Sequence, residues 1–444
     1  MYLPHTKFLV VVLFVLWGGT LFAQTNTVSN PTNGRENNPY SKYGIGEFIN
    51  GNNTVLRGMG NITSAYENPY QVNTDNPASY AFLQRTTFEV GAMASTRTIS
   101  ASGLTYKTGT ASISYLNLAV PLSKKGNSGL CFGFRPYTRV YYSMVDTINT
   151  NTNPPSPIGE VVKNYSGDGG INYAYIGAAG KYKGLSIGFN FGYMFGTIRH
   201  TTATIPIDSS LTYKAYTAEF TNYTRIGGIY WKGGAMYERR IDSDYTINIG
   251  GTLTISQNIT EHLDAFQISS YNFGDTLVND TVSNQSGQRG KLKLPMSYSI
   301  GVMLARNEKW KIGIDYTATQ WSGFQSTPDA SLLTGVGKGS YKISVGGSYI
   351  PDAGSIRSYL SRVTYRFGLY YGTDYLNLNN TALPVYGVTV GGSLPFRRST
   401  SALHLALDIG RLGTSVNNLI QETYVRFTLG ISLNDRWFIP RKYD

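Results

Sequence analysis

The sequence predicts an all-β protein: a transmembrane antiparallel β-barrel of about fourteen strands with an N-terminal hatch, or plug, segment. Three features of the 444-residue chain lead to this fold class. The chain opens with an export signal, apolar residues alternate with small or polar ones over many segments, and the connections between those segments alternate in length.

Residues 1–23 have the character of a cleavable signal peptide. Lys7 supplies a short basic region, residues 8–16 form an unbroken apolar stretch, and small residues precede a cleavage point after Ala23. The apolar stretch is too short to span a bilayer, and no later apolar run has the length of a spanning helix. The chain is therefore predicted to be exported, and an inner-membrane helical protein is excluded.

Residues 24–85 are predicted to form a mobile N-terminus followed by the hatch. Residues 24–39 are rich in Asn, Thr, Ser and Pro, which is typical of a mobile segment. Residues 40–85 are rich in Gly and Asn and alternate poorly, so they are too irregular for strands and too long for a linker. We expect this stretch to pack inside a barrel formed by residues 86–444.

Strict alternation is clearest from Leu185 to Gly196, with Met194 as its exception. One face carries Leu185, Ile187, Phe189, Phe191, Tyr193 and Phe195, and the other carries Ser186, Gly188, Asn190, Gly192 and Gly196. The pattern returns over residues 363–372 and 423–433. A soluble sandwich would bury the apolar face against a second sheet, whereas a membrane barrel turns it to lipid.

The connections decide between these two folds. The predicted strands, an even number as in single-chain bacterial barrels, are 86–101, 104–120, 128–145, 169–182, 184–203, 211–238, 244–260, 291–306, 309–324, 339–350, 360–376, 384–395, 400–414 and 420–434. Short turns at 183–184, 306–309 and 396–399 alternate with long polar stretches at 146–168, 261–290, 325–338 and 377–383. Barrels have short periplasmic turns and long outer loops, so the membrane barrel is favoured.

The composition agrees with a barrel. The 35 Tyr suit aromatic girdles at the membrane interfaces, and the 50 Gly suit an interior where strands and a plug approach closely. The single cysteine, Cys131, allows no internal disulfide. The net charge of +12 comes from basic residues scattered singly, so a basic lumen or contact with lipopolysaccharide phosphates explains it better than nucleic-acid binding.

Polar residues on the inward faces of the predicted strands are candidates for the lumen. They are Asn190, Asn248, Lys311, Asp315, Arg366, His404, Asp408 and Arg426. Two interpretations stay open: a hydrogen-bonded network that keeps the barrel round, and a lining for a substrate path.

A Gly-rich stretch and an Asn-Pro-Ala turn stand just before the first predicted strand. The stretch contains Arg57, Gly58 and Gly60, the turn is Asn76, Pro77 and Ala78, and a Leu-Pro pair at Leu294 and Pro295 opens a later strand. This arrangement resembles the FadL-type outer-membrane transporters of long-chain fatty acids and other hydrophobic compounds. The closing residues 434–444 resemble those of barrels from Bacteroidota-type bacteria.

The resemblance implies a fourteen-stranded barrel with a hatch and a lateral opening at a kinked third strand, through which a hydrophobic ligand leaves. Here the third predicted strand contains Gly133 and Pro136, and a proline removes a ladder donor in mid-sheet. The alternative is a barrel rim that tolerates a proline. Ser79 and Tyr80 depart from the small residues usual after the Asn-Pro-Ala turn.

The sequence predicts no enzyme, metal site or cofactor. The four histidines, His5, His200, His262 and His404, are dispersed, and there is neither a Gly-x-Ser-x-Gly elbow nor a phosphate-binding glycine loop. The predicted function is passive transport of hydrophobic or amphipathic compounds across the bacterial outer membrane, in contact with its lipid and lipopolysaccharide. The alternative is a non-transporting FadL-like scaffold subunit of an outer-membrane secretion or assembly machine, with protein partners.

These two functions predict different interiors. A transporter needs a continuous apolar pocket that reaches the kinked strand. A scaffold is expected to have a filled lumen and an exposed apolar patch beyond the lipid belt.

Overall fold

The computed structural model of the chain describes residues 37–101, 103–123, 127–149, 160–207, 216–273 and 276–437. The predicted signal peptide and the segment 24–36 after it lie outside the described residues. The described part is mostly β-structure. None of its helices combines the length and the apolar character needed to cross a membrane.

One two-residue strand lies in the hatch and seventeen strand segments form the barrel wall. The hatch strand is β1 (Glu47–Phe48). The wall segments are β2 (Thr86–Ala101), β3 (Leu104–Pro121), β4 (Ser128–Asn149), β5 (Glu160–Tyr182), β6 (Leu185–Ile207), β7 (Thr217–Arg240), β8 (Tyr245–Thr254), β9 (Gln257–Phe273), β10 (Thr276–Leu294), β11 (Ser297–Arg306), β12 (Trp310–Thr319), β13 (Gln325–Thr327), β14 (Ser340–Tyr349), β15 (Thr364–Leu378), β16 (Thr381–Pro395), β17 (Ala402–Gly413) and β18 (Gln421–Asp435).

The wall segments make fourteen antiparallel strands, because three of the strands are each broken once. The segment β7 pairs with β8 in one half and with β9 in the other, so β8 and β9 are two parts of one strand. In the same way β10 continues into β11, and β12 continues into β13. The barrel closes where β18 pairs with β2, from Gln421 opposite Ser100 to Asp435 opposite Thr86. The predicted fold class is confirmed.

The barrel has two different ends. Tight connections at 183–184, 241–244 and 307–309 lie at one end together with the start of β2 and the end of β18, and we name this the turn end. The opposite end is the loop end. Because outer-membrane barrels keep short turns in the periplasm, the turn end is expected to face the periplasm. The connection 350–363 is a long exception at the turn end.

Of the four stretches predicted to be long loops, 261–290 and 377–383 are mostly strand, and so are the described residues of 146–168, whose residues 150–159 lie outside the described part; for the described residues of these three stretches the prediction was wrong. The strand β4 runs to Asn149, β9 and β10 form a hairpin over most of 261–290, and β15 joins β16 through Asn379 and Asn380. Beyond the lipid both faces of a strand meet water, so the alternation that reveals a strand is no longer required. The stretch 325–338 does contain a loop, after β13.

The apolar faces of the strands point outward. Phe191 and Leu369 are 45% and 46% exposed on the outer surface, while Asn190 and Arg366 are buried on the inner one. Near the turn end the outward positions carry Tyr182, Tyr237, Tyr349 and Tyr365, as expected of an aromatic girdle. The outer face is therefore the lipid face.

The two ends give a direct topology test. An epitope tag inserted at Ser283, beside the register shift in the β9–β10 pairing, is expected to be reachable on intact cells. A tag at Asn307, in the turn between β11 and β12, is expected to be reachable only after permeabilisation, which should expose both sites. Labelling of Asn307 on intact cells would reverse the orientation of the barrel.

Candidate functional site

The hatch, residues 37–85, lies inside the barrel and packs directly against glycines of the wall. A Cβ atom at Gly250 would lie 1.9 Å from the carbonyl oxygen of Ser64, and one at Gly368 would lie 2.1 Å from the nitrogen of Gly60. Neither position has room for a side chain, so hatch backbone and wall touch there. Wall glycines that approach the hatch in this way are Gly129, Gly188, Gly234, Gly250, Gly346, Gly368, Gly391 and Gly430.

The first part of the predicted hatch motif lies at a short helix. The motif residues there are Arg57, Gly58 and Gly60. Helix α1 (Thr54–Arg57) ends at Gly58, and the buried Arg57 side chain donates from Nε to the carbonyl oxygen of Asn52 at 3.0 Å. Gly60 has a φ of +69°, a conformation that favours glycine, and its N–H donates to Oγ1 of Thr389 at 2.8 Å. Arg57 therefore holds the hatch segment together, and Gly60 fixes it to β16 of the wall.

The Asn-Pro-Ala turn has the same role. The Asn76 side chain accepts a hydrogen bond from the N–H of Ala78 and so caps the 3-10 helix that begins at Pro77. Its amide nitrogen donates to the carbonyl oxygen of Ser64, a second hatch segment. On the wall side, Oγ of Ser186 donates to the carbonyl oxygen of Ala78 at 2.8 Å. The turn therefore ties two parts of the hatch to β6.

An ion-pair cluster, which we name the latch, joins the hatch to β2, β17 and β18. Arg97 of the wall donates to both carboxylate oxygens of the hatch residue Glu47, at 2.8 and 2.9 Å, and Arg426 donates to one of them at 2.8 Å. Arg97 is 2% exposed and also pairs with the buried Glu422, and Arg426 faces Asp408 at 3.7 Å. Burial raises the pKa of Glu47, but the Arg97 and Arg426 guanidinium groups outweigh it and hold that pKa at about 2.

Two further hatch acids face basic residues of the wall. Asp75 lies 3.1 Å from Arg135 and 3.5 Å from Lys232, and Glu67 lies 2.6 Å from Lys311. Burial acts to raise the pKa of Asp75, yet the two cations lower it to about 2. An acidic hatch thus fits a wall that is basic at these positions, which accounts for part of the positive charge of the chain.

Seven of the eight residues predicted for the lumen have hydrogen-bond or ion-pair partners inside the barrel; Lys311 pairs with Glu67 as described above, and the eighth, Asn248, is buried with no partner for its side-chain oxygen among the described residues. Of the remaining six, three contact the hatch: Asn190 accepts from Tyr80 and donates to Thr74, Asp315 accepts from the N–H of Ser64, and Arg426 donates to Glu47. The other three contact wall residues: Arg366 donates to Ser393, His404 bonds Ser393 and Ser432, and Asp408 accepts from Tyr370. This arrangement is the one expected of a structural network.

The barrel wall is incomplete between its second and third strands, β3 and β4. These two strands pair only from Leu116 opposite Phe134 to Pro121 opposite Gly129, near the turn end. Toward the loop end the edge of β4 pairs instead with the hatch strand β1. The N–H of Ile49 donates to the carbonyl oxygen of Tyr137 at 3.0 Å, which extends this pairing.

The two residues predicted for a lateral opening lie on either side of the last β3–β4 pair. Gly133 is in the paired part, where a Cβ atom would lie 2.2 Å from the ring of Tyr175. Pro136 comes just after the pairing ends, at a register shift against β5. Gly133 therefore makes room for an inward tyrosine, and Pro136 stands beside the gap.

Aromatic side chains fill the lumen over the hatch strand. The ring centroid of Phe48 lies 5.4 Å from that of Tyr137, 5.4 Å from that of Trp321 and 5.1 Å from that of Tyr375. Such spacings are typical of packed aromatic pairs. These residues, and also Glu47, Arg97 and Glu422, were not predicted from the sequence. Arg97 could have been predicted as an inward residue, because it occupies an inward position of β2 as Arg426 does of β18.

Between the inner side chains of the described residues the cavities are small, whereas apolar recesses of about 570–690 Å³ lie on the outer face, one of them lined by Leu116, Gly133 and Phe134 beside the short β3–β4 pairing. The cavity bounded by Glu47, Arg57, Arg97 and Asp408 has a volume of about 30 Å³, which holds one or two water molecules. A cleft of about 190 Å³ at the loop end is lined by Lys42, Tyr43, Tyr142, His200, Thr202, Phe220, Asn222, Ser331 and Thr334. The inner cavity and the loop-end cleft are both smaller than small-ligand pockets, which usually measure about 300–1,000 Å³.

Comparison with known proteins assigns the family. The model of the BamG family matches residues 6–444, which is nearly the whole chain. The chain belongs to the BamG family. No curated protein matches this BamG-family chain.

Solved structures show what the BamG-family barrel is similar to. The Ralstonia pickettii toluene transporter TbuX has 13% identity and a TM-score of 0.55 over 87% of this chain and 99% of its own. The Pseudomonas putida toluene transporter TodX has 15% identity and a TM-score of 0.55 over 89% and 99%. A Pseudomonas aeruginosa FadL homologue has 12% identity and a TM-score of 0.52 over 86% and 97%. At these identities the likeness shows the FadL-type fold alone.

Proposed function

We propose that this BamG-family protein is a non-catalytic, non-transporting scaffold subunit of an outer-membrane assembly machine in a bacterial outer membrane. The observation that carries the proposal is the filled lumen. The hatch touches wall glycines of eight strands, the latch ties it to three strands, and aromatic rings occupy the space above it.

A rigid, filled barrel suits a scaffold physically. Movement of the hatch strand to let a solute pass would break the latch, and its buried charges would then lose their partners. A scaffold has no such step, so the same contacts stabilise one shape that partners recognise.

A second candidate is passive transport of a hydrophobic or amphipathic compound with lateral exit beside Pro136. The separation of β3 from β4 favours it, because a gap in the wall would let an apolar ligand leave into lipid. The printed names of TbuX and TodX as toluene transporters point the same way. In this case the hatch strand along β4 would have to move aside.

Deletion and one point variant separate the two functions. In the scaffold proposal, cells that lack the protein take up a fluorescent hydrophobic probe at the wild-type rate, but the amount of folded outer-membrane barrels falls. Native mass spectrometry after mild detergent extraction then finds protein partners in stoichiometric amount. Pro136→Val, which restores a ladder donor beside the gap, leaves both results unchanged.

Transport predicts the reverse pattern. Uptake would drop on deletion, return with the wild-type gene and remain slow with Pro136→Val, while native mass spectrometry would find a bound lipid-like mass. That pattern would overturn the scaffold proposal.

A further inference from the structure

The long connection at the turn end, residues 350–363, is an ordered structure, and we name it the Ile356 turn. The N–H of Asp352 donates to the carbonyl oxygen of Ser361 at 2.8 Å, closing the turn at its base. The hydroxyl of Tyr359 donates to the carbonyl oxygen of Pro395 at 3.2 Å, which fixes the turn to the neighbouring strand β16. The shape of the turn is therefore set by its own bonds.

Apolar side chains of the Ile356 turn face water. Ile356 is 97% exposed and Leu360 is 68% exposed. The turn follows Tyr349 and precedes Tyr365, two outward tyrosines of the girdle at the turn end, so it lies beyond the lipid belt on the periplasmic side. An apolar surface in this position is one that another molecule is expected to cover.

The surroundings of this apolar surface are basic. The Ile356 turn and the adjacent turn 396–401 together contain four arginines and a single acidic residue, Asp352. The arginines are Arg357, Arg362, Arg397 and Arg398. The Asp352 carboxylate accepts from the N–H of Gly354 within the turn. The guanidinium group of Arg362 lies over the ring of Tyr359. The other three arginines are exposed, so an acidic partner could reach them.

We propose that the Ile356 turn docks a soluble periplasmic protein that presents an apolar pocket with an acidic rim. The proposal rests on the proposed scaffold function and names the surface and partner class through which it acts. Ile356 and Leu360 would enter the pocket, and Arg357 with the arginines of the adjacent turn would meet the acidic rim. Because the turn is already ordered by its own hydrogen bonds, little conformational entropy is lost on docking. Opposite charge on the partner increases the association rate and selects the correct orientation.

The test uses the full-length tagged protein in cells and in mild detergent. A photo-crosslinking amino acid placed at position 356 is expected to capture an acidic periplasmic protein in intact cells. Ile356→Asp and, separately, Arg357→Glu are expected to lower the recovery of that same protein at least tenfold, and raising the salt concentration is expected to weaken wild-type recovery. Val416→Asp, an equally polar change at an exposed residue of the loop end, is the matched control and should change nothing.

Several results would contradict the docking surface. These are a photoproduct with the mass of a phospholipid, a captured protein that is basic, or full recovery of the partner with both turn variants. Each variant is first checked for heat-modifiable migration, and if Ile356→Asp does not fold, Arg357→Glu on the surface of the turn carries the test. If the partner binds but ignores the turn variants, the docking surface is wrong and the scaffold function stands. If wild-type protein carries no partner at all, both fail.

Discussion

Replacement of Arg97 by methionine is expected to lower the free energy of unfolding by about 3–5 kcal/mol, because it breaks a buried ion pair from one side. Arg97 is 2% exposed and holds the carboxylates of Glu47 and Glu422. Without it the two acids face each other with less compensation, and Glu47 keeps only its bond to Arg426 among the basic groups of the latch. The hatch is then held less firmly to β2.

Two measurements check the Arg97 result. Denaturant unfolding in detergent gives the loss of stability, and conductance in planar bilayers reports whether the loosened hatch lets ions through. Arg199→Met is the control, since the Arg199–Asp168 pair is about half exposed and should contribute less than about 1 kcal/mol. Arg97→Met combined with Glu422→Gln should recover part of the loss, because one stranded charge is removed. A closed Arg97→Met barrel of wild-type stability would show that the latch does not hold the hatch.

The strands could be predicted from the sequence where they contact lipid, because lipid contact requires an apolar residue at every second position. Between Leu185 and Gly196 one face must be apolar and the other need not be, so the period of two is visible. Residues 261–290 obey no such rule, because most of this hairpin has polar surroundings, and it was wrongly predicted as a loop. The connection 350–363 was largely outlined by the predicted strands 339–350 and 360–376, but its length departs from the rule of short turns at this end of the barrel.

The residues that point into the barrel could be predicted from the sequence, but their interaction partners could not. Alternation alone identified Asp408 and Arg426 as inward residues, and the abundance of glycine suggested a close plug. Partners such as Glu47, 379 residues away from Arg426 in the chain, depend on how the hatch folds back into the barrel, and local patterns carry no information on that. For the separation of β3 from β4, Pro136 marked the third strand in the sequence, but no local pattern shows that its pairing with β3 stops at Leu116 opposite Phe134.

Gly233 and Gly234 are adjacent in β7 and face opposite sides of the wall, so the same substitution is expected to have opposite effects. A Cβ atom at Gly234 would lie 2.2 Å from Oδ1 of Asn76 and 2.9 Å from Cδ of Pro77, inside the hatch. At Gly233 the nearest heavy atom is the carbonyl oxygen of Leu253, at 3.8 Å. The pair thus separates contact with the hatch from any general effect of a larger residue in this strand.

Gly234→Val is expected to destabilise the protein by about 1–3 kcal/mol through overpacking, with about 1 kcal/mol more if the Asn76 cap is lost. Gly233→Val, on the lipid side, should be neutral or stabilising, because valine favours strands more than glycine does. Unfolding in detergent measures both, and limited proteolysis of the hatch residues 37–85 in the folded barrel shows whether Asn76 has been displaced. Equal stability and equal protection of the hatch in the two variants would mean that the hatch does not press against this wall, and the filled lumen, on which the scaffold function depends, would lose its support.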